Sequence, residues 1–569
     1  MTYPHSIHPA LVPGVSVEDQ RIRFSVDWRI VSVVGGLIVA FIAWGVIAPE
    51  QVFDASSAAL AWVMENMGWV FTALATGLMF FLLILAFSRY GKIPLGLDGE
   101  KAEYSTMSWT AMLFAAGIGS GIIFFGPYEP MSHYLDPRPG AYDPATQEAV
   151  KGAMAQSAMH WGINAWAIYA IVATLFGTAA SLGIGALQIS KGVEVVSGWS
   201  PAGNTFALVI IMVLTIGTIL SAVSGVAKGI RWLSNINMVL AIGLALFFFI
   251  VGPTAFLANM IPAVIVDYVG SMPDMLSANM GEGEDMQAFL SGWTTFYWAW
   301  WVSWSPFVGV FVAKISRGRT IRQFILGVLF IPSTIIVLAF TILGGTSIWI
   351  QRETGSIAAG DDPSAMPAPE EIFFTVLDHL PGAGIVAPVV IVMLAVFFIT
   401  TADSASLVNS QLSQRGNPDP KKWVTVFWAL CMAGIAVVIL LAGGEDALQG
   451  LQNFITVTAL PFAVVLVLMA VALVRELRTD PFTIRDDFQE QALSNAVVHG
   501  VREHGDNFAI AVEQTDADSD YATGGDFNSR AAEVTDWYTR TDEDGNPVDY
   551  DYETGEYVTG EQPSPDDRS

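Results

Sequence analysis

A single cysteine, Cys431, in 569 residues excludes an internal disulfide and a cysteine-built metal centre. Charge is scarce too. Asp, Glu, Lys and Arg make up 14% of the chain, against roughly a quarter in ordinary soluble domains. Lys and Arg number 26 against 53 Asp and Glu, so the basic face that nucleic acid requires is missing. There is no G-x4-G-K-[ST] loop, and hence no ATP motor in this chain. H-E-x-x-H, G-x-S-x-G and any Cys/His cluster are also absent, which argues against an enzyme. No ring of charged pore residues marks a channel.

What fills the chain is apolar. Hydrophobic residues are 53% of it, with 18 Trp, 34 Phe and 52 Gly. The formal charge of −27 is unevenly spread: residues 479–569 hold 23 acids and 5 bases, leaving 30 acids and 21 bases for the first 478. Stretches of about 18 or more apolar residues read as membrane-spanning helices. Eleven are visible, at 30–48, 67–87, 107–126, 158–190, 204–225, 236–258, 293–313, 323–349, 382–400, 423–442 and 453–474. The chain therefore divides into an N-terminal tail (1–28), an all-α integral membrane domain (29–478) and an acidic, largely disordered tail (479–569). The first run is expected to be a membrane helix and not a cleaved signal.

Orientation follows from Lys and Arg in short loops. Such residues cluster in the N-tail, in 88–106, 226–235, 314–322 and 411–422, and after the last run. These segments are expected in the cytoplasm, with both termini, in a plasma-membrane protein. Connections 49–66, 259–292, 350–381 and 443–450 are acidic or nearly free of bases and should face outward. Parity then exposes a conflict. Loop 127–157 must be outside, and so must the segment before 204–225, yet only the run 158–190 lies between them. Its 33 residues are long for one span, and two spans with a turn need roughly 40.

Four runs carry distinctive residues. Gly117-Ile118-Gly119-Ser120-Gly121 either lets helices pack closely or opens the backbone to a ligand. His160-Trp161-Gly162-Ile163-Asn164-Ala165-Trp166-Ala167-Ile168-Tyr169 sets Trp166 and Tyr169 one helical turn apart; its histidine reads first as a satisfied polar residue. In the seventh run Trp293, Tyr297, Trp301 and Trp304 fall on one helix face, with Trp298 and Trp300 beside them. This stripe reads either as packed core or as an aromatic cage, the arrangement that holds a quaternary ammonium unable to donate hydrogen bonds. Phe397-Phe398-Ile399-Thr400-Thr401-Ala402-Asp403-Ser404 offers hydroxyls that either bond back to the helix or ligate a small cation. Its carboxylate is either structural or functional.

These segments, together with GPYEP, FGTAASLGIGALQ, SAVSGVAKGIRWLSN, FYWAWWVSWSPFVG and ISRGR, closely resemble the betaine/choline/carnitine transporter family over about residues 20–478. The resemblance implies twelve membrane helices: two N-terminal helices followed by two inverted five-helix repeats. It implies a homotrimer in contact with membrane lipids, no nucleic-acid partner, and no cofactor beyond sodium as coupling ion. The family's aromatic box falls on Trp161, Trp166, Tyr169 and Trp301, with Trp300 flanking it and Trp304 one turn inward. Gly117, Gly119 and Gly121 would lie against the substrate. One sodium site would use Ala115, Ile118, Phe397, Thr400 and Thr401; the other, Thr174, Thr178 and Phe307.

The chain departs from the family at Val172-Ala173-Thr174, where relatives place several tens of residues between two separate helices. The break in parity falls on the same spot. Ser120 and Asn164-Ala165 also replace common family residues, Gly121 stands where choline-type members can carry Asp, and the acidic tail differs from the basic tail of osmosensing relatives. The expected function is sodium-coupled import of glycine betaine or a related compatible solute by alternating access. The alternatives are an ectoine or proline symporter, a sodium-independent exchanger of the carnitine or choline type, and a transport-inactive membrane sensor or scaffold.

Overall fold

The computed structural model describes residues 26–95, 101–117, 121–170, 189–194, 197, 205–224, 226–414, 420–443, 447–510, 549–551 and 556–558. Within these residues the body of the chain is almost wholly helical. Helices α1 (Trp28–Ile47) and α2 (Pro49–Phe87) are separated by one extended residue, Ala48, and Pro49 opens the second, the position where a missing N–H costs nothing. Asp27 caps α1 by accepting from the amides of Arg29 and Ile30. Next come α3 (Thr106–Gly117), α4 (Gly121–Leu135), α5 (Gln147–Trp161) and α6 (Ile163–Tyr169). They are followed by α7 (Thr205–Ser224), α8 (Val226–Val251), α9 (Thr254–Ser277) and α10 (Glu284–Phe289). A π turn, Leu290–Thr295, leads into α11 (Phe296–Ile315). The body continues with α12 (Ile321–Thr354), α13 (Ile372–Asp378), α14 (Ala383–Leu412), α15 (Lys422–Gly443) and α16 (Ala447–Thr479). A further helix, α17 (Pro481–His504), opens the acidic tail, and a small hairpin (Asp549–Asp551 with Glu556–Val558) lies far along it.

Seven helices among the described residues are long and apolar enough to cross a membrane, and two shorter apolar stretches, Phe206–Leu220 and Ile236–Val251, accompany them. Large apolar side chains such as Ile47, Ile84, Phe87, Val266 and Ile385 are exposed on the outer surface, the face that lipid would cover. The molecule is an all-α integral membrane protein.

The boundaries read from hydropathy are corrected in several places. Segment 49–66 is not a connection but the first part of α2, whose 39 residues extend ~58 Å, well beyond the apolar core of a bilayer. The run 107–126 is two helices, α3 and α4, with 118–120 between them outside the described residues. The outward loop 127–157 shrinks to about 136–146, because α4 continues through Pro127 and Pro130 to Leu135 and α5 begins at Gln147. The run 158–190 breaks at Gly162. Segment 226–235 lies inside α8, and 259–292 is largely the helix α9.

Contacts bring together segments that were expected to share a side. The strand Pro94–Leu95 pairs antiparallel with Arg319–Thr320, joining two basic segments on one side. The Asp27 amide donates to the Ser413 carbonyl at 2.9 Å, which puts the N-tail and 411–422 together as well. On the opposite side, Lys151 pairs with Asp267 at 3.7 Å and Lys191 with Glu371 at 2.7 Å. Residues 151 and 191 therefore both meet acidic segments expected to face outward.

The centre of the bundle is α4. Fourteen of its 15 residues are buried, as expected of a helix apolar all round. It packs chiefly on α12 and α5. Its approach to α12 is close enough that a methyl carbon on Gly344 would stand 2.4 Å from Pro130 Cγ, and Ser347 Oγ donates to the Pro127 carbonyl at 3.1 Å. Small residues at such a crossing let two backbones meet.

Candidate functional site

Four helices converge on one aromatic and polar cluster. Gly162 breaks the helical run with φ −90° and ψ −140°, so Trp161 ends α5 while Trp166 and Tyr169 lie on α6. A side chain at position 162 has no room: a methyl carbon would sit 2.4 Å from the Ala158 carbonyl and 2.7 Å from Tyr268 Oη. Helix α11 supplies Tyr297, Trp300 and Trp301 from the opposite side, and α4 supplies Phe125 and Glu129.

The rings form a continuous chain. Trp166 meets Tyr169 edge to face at 5.3 Å, Tyr169 meets Trp301 at 5.0 Å, and Trp301 meets Trp161 at 5.1 Å. All four rings are buried. The residues assigned to the box are thus brought together. Trp300 stacks on Trp301 at 6.0 Å and meets Trp161 edge to face at 5.7 Å, so it flanks the box. Trp304 is buried one turn further along α11. Gly121 is part of the same assembly: a methyl carbon there would stand 2.7 Å from Trp161 Cη2. The indole thus lies where any larger residue would collide. Gly117 closes α3, and Gly119 lies outside the described residues. The rings touch one another edge to face.

Behind the rings is a buried polar cluster centred on Glu129. Its Oε1 faces His160 Nδ1 at 2.6 Å, and its Oε2 accepts from Trp161 Nε1 at 2.8 Å and from Tyr297 Oη at 2.6 Å. His133 Nε2 stands 3.4 Å from Oε1. On the far side of His160, Nε2 faces Thr294 Oγ1 at 3.0 Å and the Gln156 amide nitrogen at 3.3 Å. An amide nitrogen only donates, so Nε2 is the acceptor and Nδ1 carries the proton given to Glu129. Indole N–H is likewise a donor only. Both carboxylate oxygens are acceptors, and Glu129 is a carboxylate. The π turn before α11 places Thr294 here, in keeping with the frequency of π turns at functional sites. Trp301 Nε1 donates to the His160 carbonyl at 2.7 Å, linking α11 to the end of α5.

Glu129, His133 and His160 bring three ligand-type atoms within 4.8 Å of one another. Both carboxylate oxygens already have donors, whereas neither buried ring nitrogen of His133 makes a hydrogen bond. The sequence reading missed Glu129, because the hydropathy window ended at 126 and left the Gly-Pro-Tyr-Glu-Pro stretch in a loop. An acidic residue four before a histidine and next to apolar helix was the available signal.

The sodium assignments are placed only in part. Phe397, Thr400 and Thr401 are buried on α14, which is in contact with α3, the helix that carries Ala115. Thr400 Oγ1 bonds back to the carbonyls of Val396 at 2.8 Å and Phe397 at 3.1 Å. Asp403 is fully buried on the same helix. Phe307 lies on α11. Ile118, Thr174 and Thr178 lie outside the described residues.

The family model for betaine/carnitine/choline transporters matches residues 29–176 and 169–482. The chain belongs to the betaine/carnitine/choline transporter family. It is a multi-pass membrane transporter and not an enzyme. It is similar to the betaine/ectoine transporter LcoP of Corynebacterium glutamicum, with 46% identity over 599 aligned positions covering 98% of this chain and 94% of that one. It is 36% identical to the glycine betaine transporter OpuD of Bacillus subtilis, over 80% of this chain and 94% of OpuD. It is 33% identical to glycine betaine transporter 1 of Vibrio parahaemolyticus, over 81% of this chain and 95% of that protein. Two details bear on the junction after Val172. The family match falls into two stretches that meet at 169–176. In addition, 98% of 569 residues is about 558, so the 599-position alignment with LcoP holds about 41 positions that this transporter lacks.

Proposed function

We propose that this transporter imports glycine betaine or a closely related solute across the plasma membrane, coupled to sodium and driven by alternating access. The observation that carries the reading is the unbroken ring chain Trp166–Tyr169–Trp301–Trp161 on three helices. Aromatic faces are the chemistry that holds a trimethylammonium group, and the glycines between α3 and α4 offer backbone amides for a carboxylate. The names of the relatives agree: LcoP is a betaine/ectoine transporter and OpuD a glycine betaine transporter. Sodium at Thr400 and Thr401 would bridge α14 to the end of α3. Both termini would be cytoplasmic, and three copies would assemble in contact with membrane lipids.

The test is uptake of radiolabelled glycine betaine into proteoliposomes with and without an inward sodium gradient, with ectoine, proline and carnitine as competitors. Gradient-dependent uptake is expected. Uptake indifferent to sodium would replace the symporter with an exchanger, and ectoine outcompeting betaine would change the substrate. A second reading rests on the two-part family match and the roughly 41 absent positions: the protein binds solute without translocating it, as a sensor or scaffold. Saturable betaine binding in detergent with background uptake in liposomes would establish that reading.

A further inference from the structure

We propose that Glu129 sets this site's preference for a positively charged headgroup over a neutral one of the same shape. The inference rests on the betaine reading above and deepens it. Glu129 is completely buried, and its Oε2 is bound by two aromatic donors, Trp161 Nε1 and Tyr297 Oη. Trp161 belongs to the ring chain itself, touching Trp301 at 5.1 Å. Tyr297 lies directly behind it, with ring centroids 5.7 Å apart. A carboxylate accepting from an indole N–H pushes electron density into that ring. The ring face then becomes a better partner for a cation, since the attraction is electrostatic, and hydrogen-bonded groups in a dry interior polarise one another.

The net charge acts in the same direction. The groups that pair with Glu129 among the described residues are two histidines, His160 at 2.6 Å and His133 at 3.4 Å, and the bonding of His160 is that of a neutral ring. Glu129 therefore sets a carboxylate behind the cage with no Lys or Arg paired to it among the described residues, where little water screens it. A zwitterion would be oriented by that charge, ammonium toward Trp161 and carboxylate away from Glu129. A packing role alone would make Glu129 matter equally for charged and uncharged ligands of one shape. The proposed role makes the two respond differently.

The experiment uses the full-length protein in detergent, with tryptophan fluorescence to titrate glycine betaine and 3,3-dimethylbutanoate. The latter is the same molecule with carbon in place of the quaternary nitrogen. The wild type should prefer betaine at least tenfold. Glu129→Gln keeps the size and one acceptor oxygen but removes the charge, and should shrink that preference about tenfold, mainly by weakening betaine. Glu129→Asp restores the charge and should bring the preference most of the way back. An unchanged preference in Glu129→Gln overturns the proposal while leaving the betaine reading intact. If that variant does not fold, the wild type decides: equal affinity for the two ligands overturns the proposal. A wild type that binds neither overturns this inference together with the function it rests on.

Discussion

The aromatic cage and the Thr400 stretch of α14 are both buried and both polar, yet they spend their hydrogen bonds in opposite ways. In the cage the bonds run between helices: Trp161 and Tyr297 to Glu129, Trp301 to the His160 carbonyl, Ser347 to the Pro127 carbonyl. Along α14 they stay at home. Thr400 bonds to Val396 and Phe397, Ser406 to Ala402, and Ser413 to Asn409 and Ser410. The first arrangement fixes the relative positions of α4, α5 and α11. The second ties outward only near its end, where Ser413 Oγ accepts from Trp428 Nε1 at 3.0 Å; the bonds of Thr400 stay within α14, as hydroxyls in helices commonly do. A cluster bonded across helices thus contrasts with a pair of carbonyl bonds, at Thr400, that never leave their own helix.

Substitutions rank that difference. Glu129→Ala should have the largest effect. It strips three buried donors of their acceptor and should cost about 3 kcal/mol or more of stability, seen as a lower unfolding midpoint in detergent. Trp301→Ala comes next. It removes one cage wall and its bond to His160, together about 3 kcal/mol, and betaine affinity by fluorescence titration should fall about a hundredfold. Gly121→Ala forces the Trp161 indole aside and should weaken betaine about tenfold, through roughly 1–2 kcal/mol of overpacking.

Thr400→Val is the counter-test from the other region. Its unfolding midpoint should stay within about 0.5 kcal/mol of wild type, while the sodium concentration for half-maximal uptake rises. A destabilisation as large as that of Glu129→Ala would break the comparison. The smallest effect is expected at Glu371→Gln. The hydrogen bond that Lys191 donates to Glu371 holds its ammonium above its usual range, but both side chains are about one-third exposed, so water screens the pair to a few tenths of a kcal/mol. A lysine raised in the folded state lends stability that is complete below its ordinary value and is lost as pH rises through the raised one. The difference between variant and wild type should therefore vanish at strongly alkaline pH. A membrane-impermeant maleimide should also label Lys191→Cys from outside the cell, as it should Lys151→Cys.

Much of the cage was legible in the sequence. The Trp face of α11 follows from helical spacing alone, and His160 is the satisfied polar residue its context suggested. The crossing conflict around 158–190 was visible from charge and run lengths before any contact was known. What sequence hid was depth. Hydropathy averages over a window, so Pro127-Tyr128-Glu129-Pro130 read as the end of a span and the start of a loop. The structure carries α4 on for nine residues past 126, buried against α12 and α5. Helix breaks were equally invisible. Gly162 divides the 158–190 run at a position whose only local signal is a glycine among tryptophans. Connections expected at 49–66 and 259–292 became helix because a few acidic residues on the exposed side of a helix do not end it.

The bond from Trp301 to the His160 carbonyl has a mechanical consequence. One wall of the cage hangs from the peptide immediately before the other wall, Trp161, and two residues before the break at Gly162. Trp301 cannot swing clear by a side-chain rotation alone while that bond holds, and Trp161 is tied in the same way to Glu129. The two indoles therefore share one support, the end of α5 just before the break at Gly162.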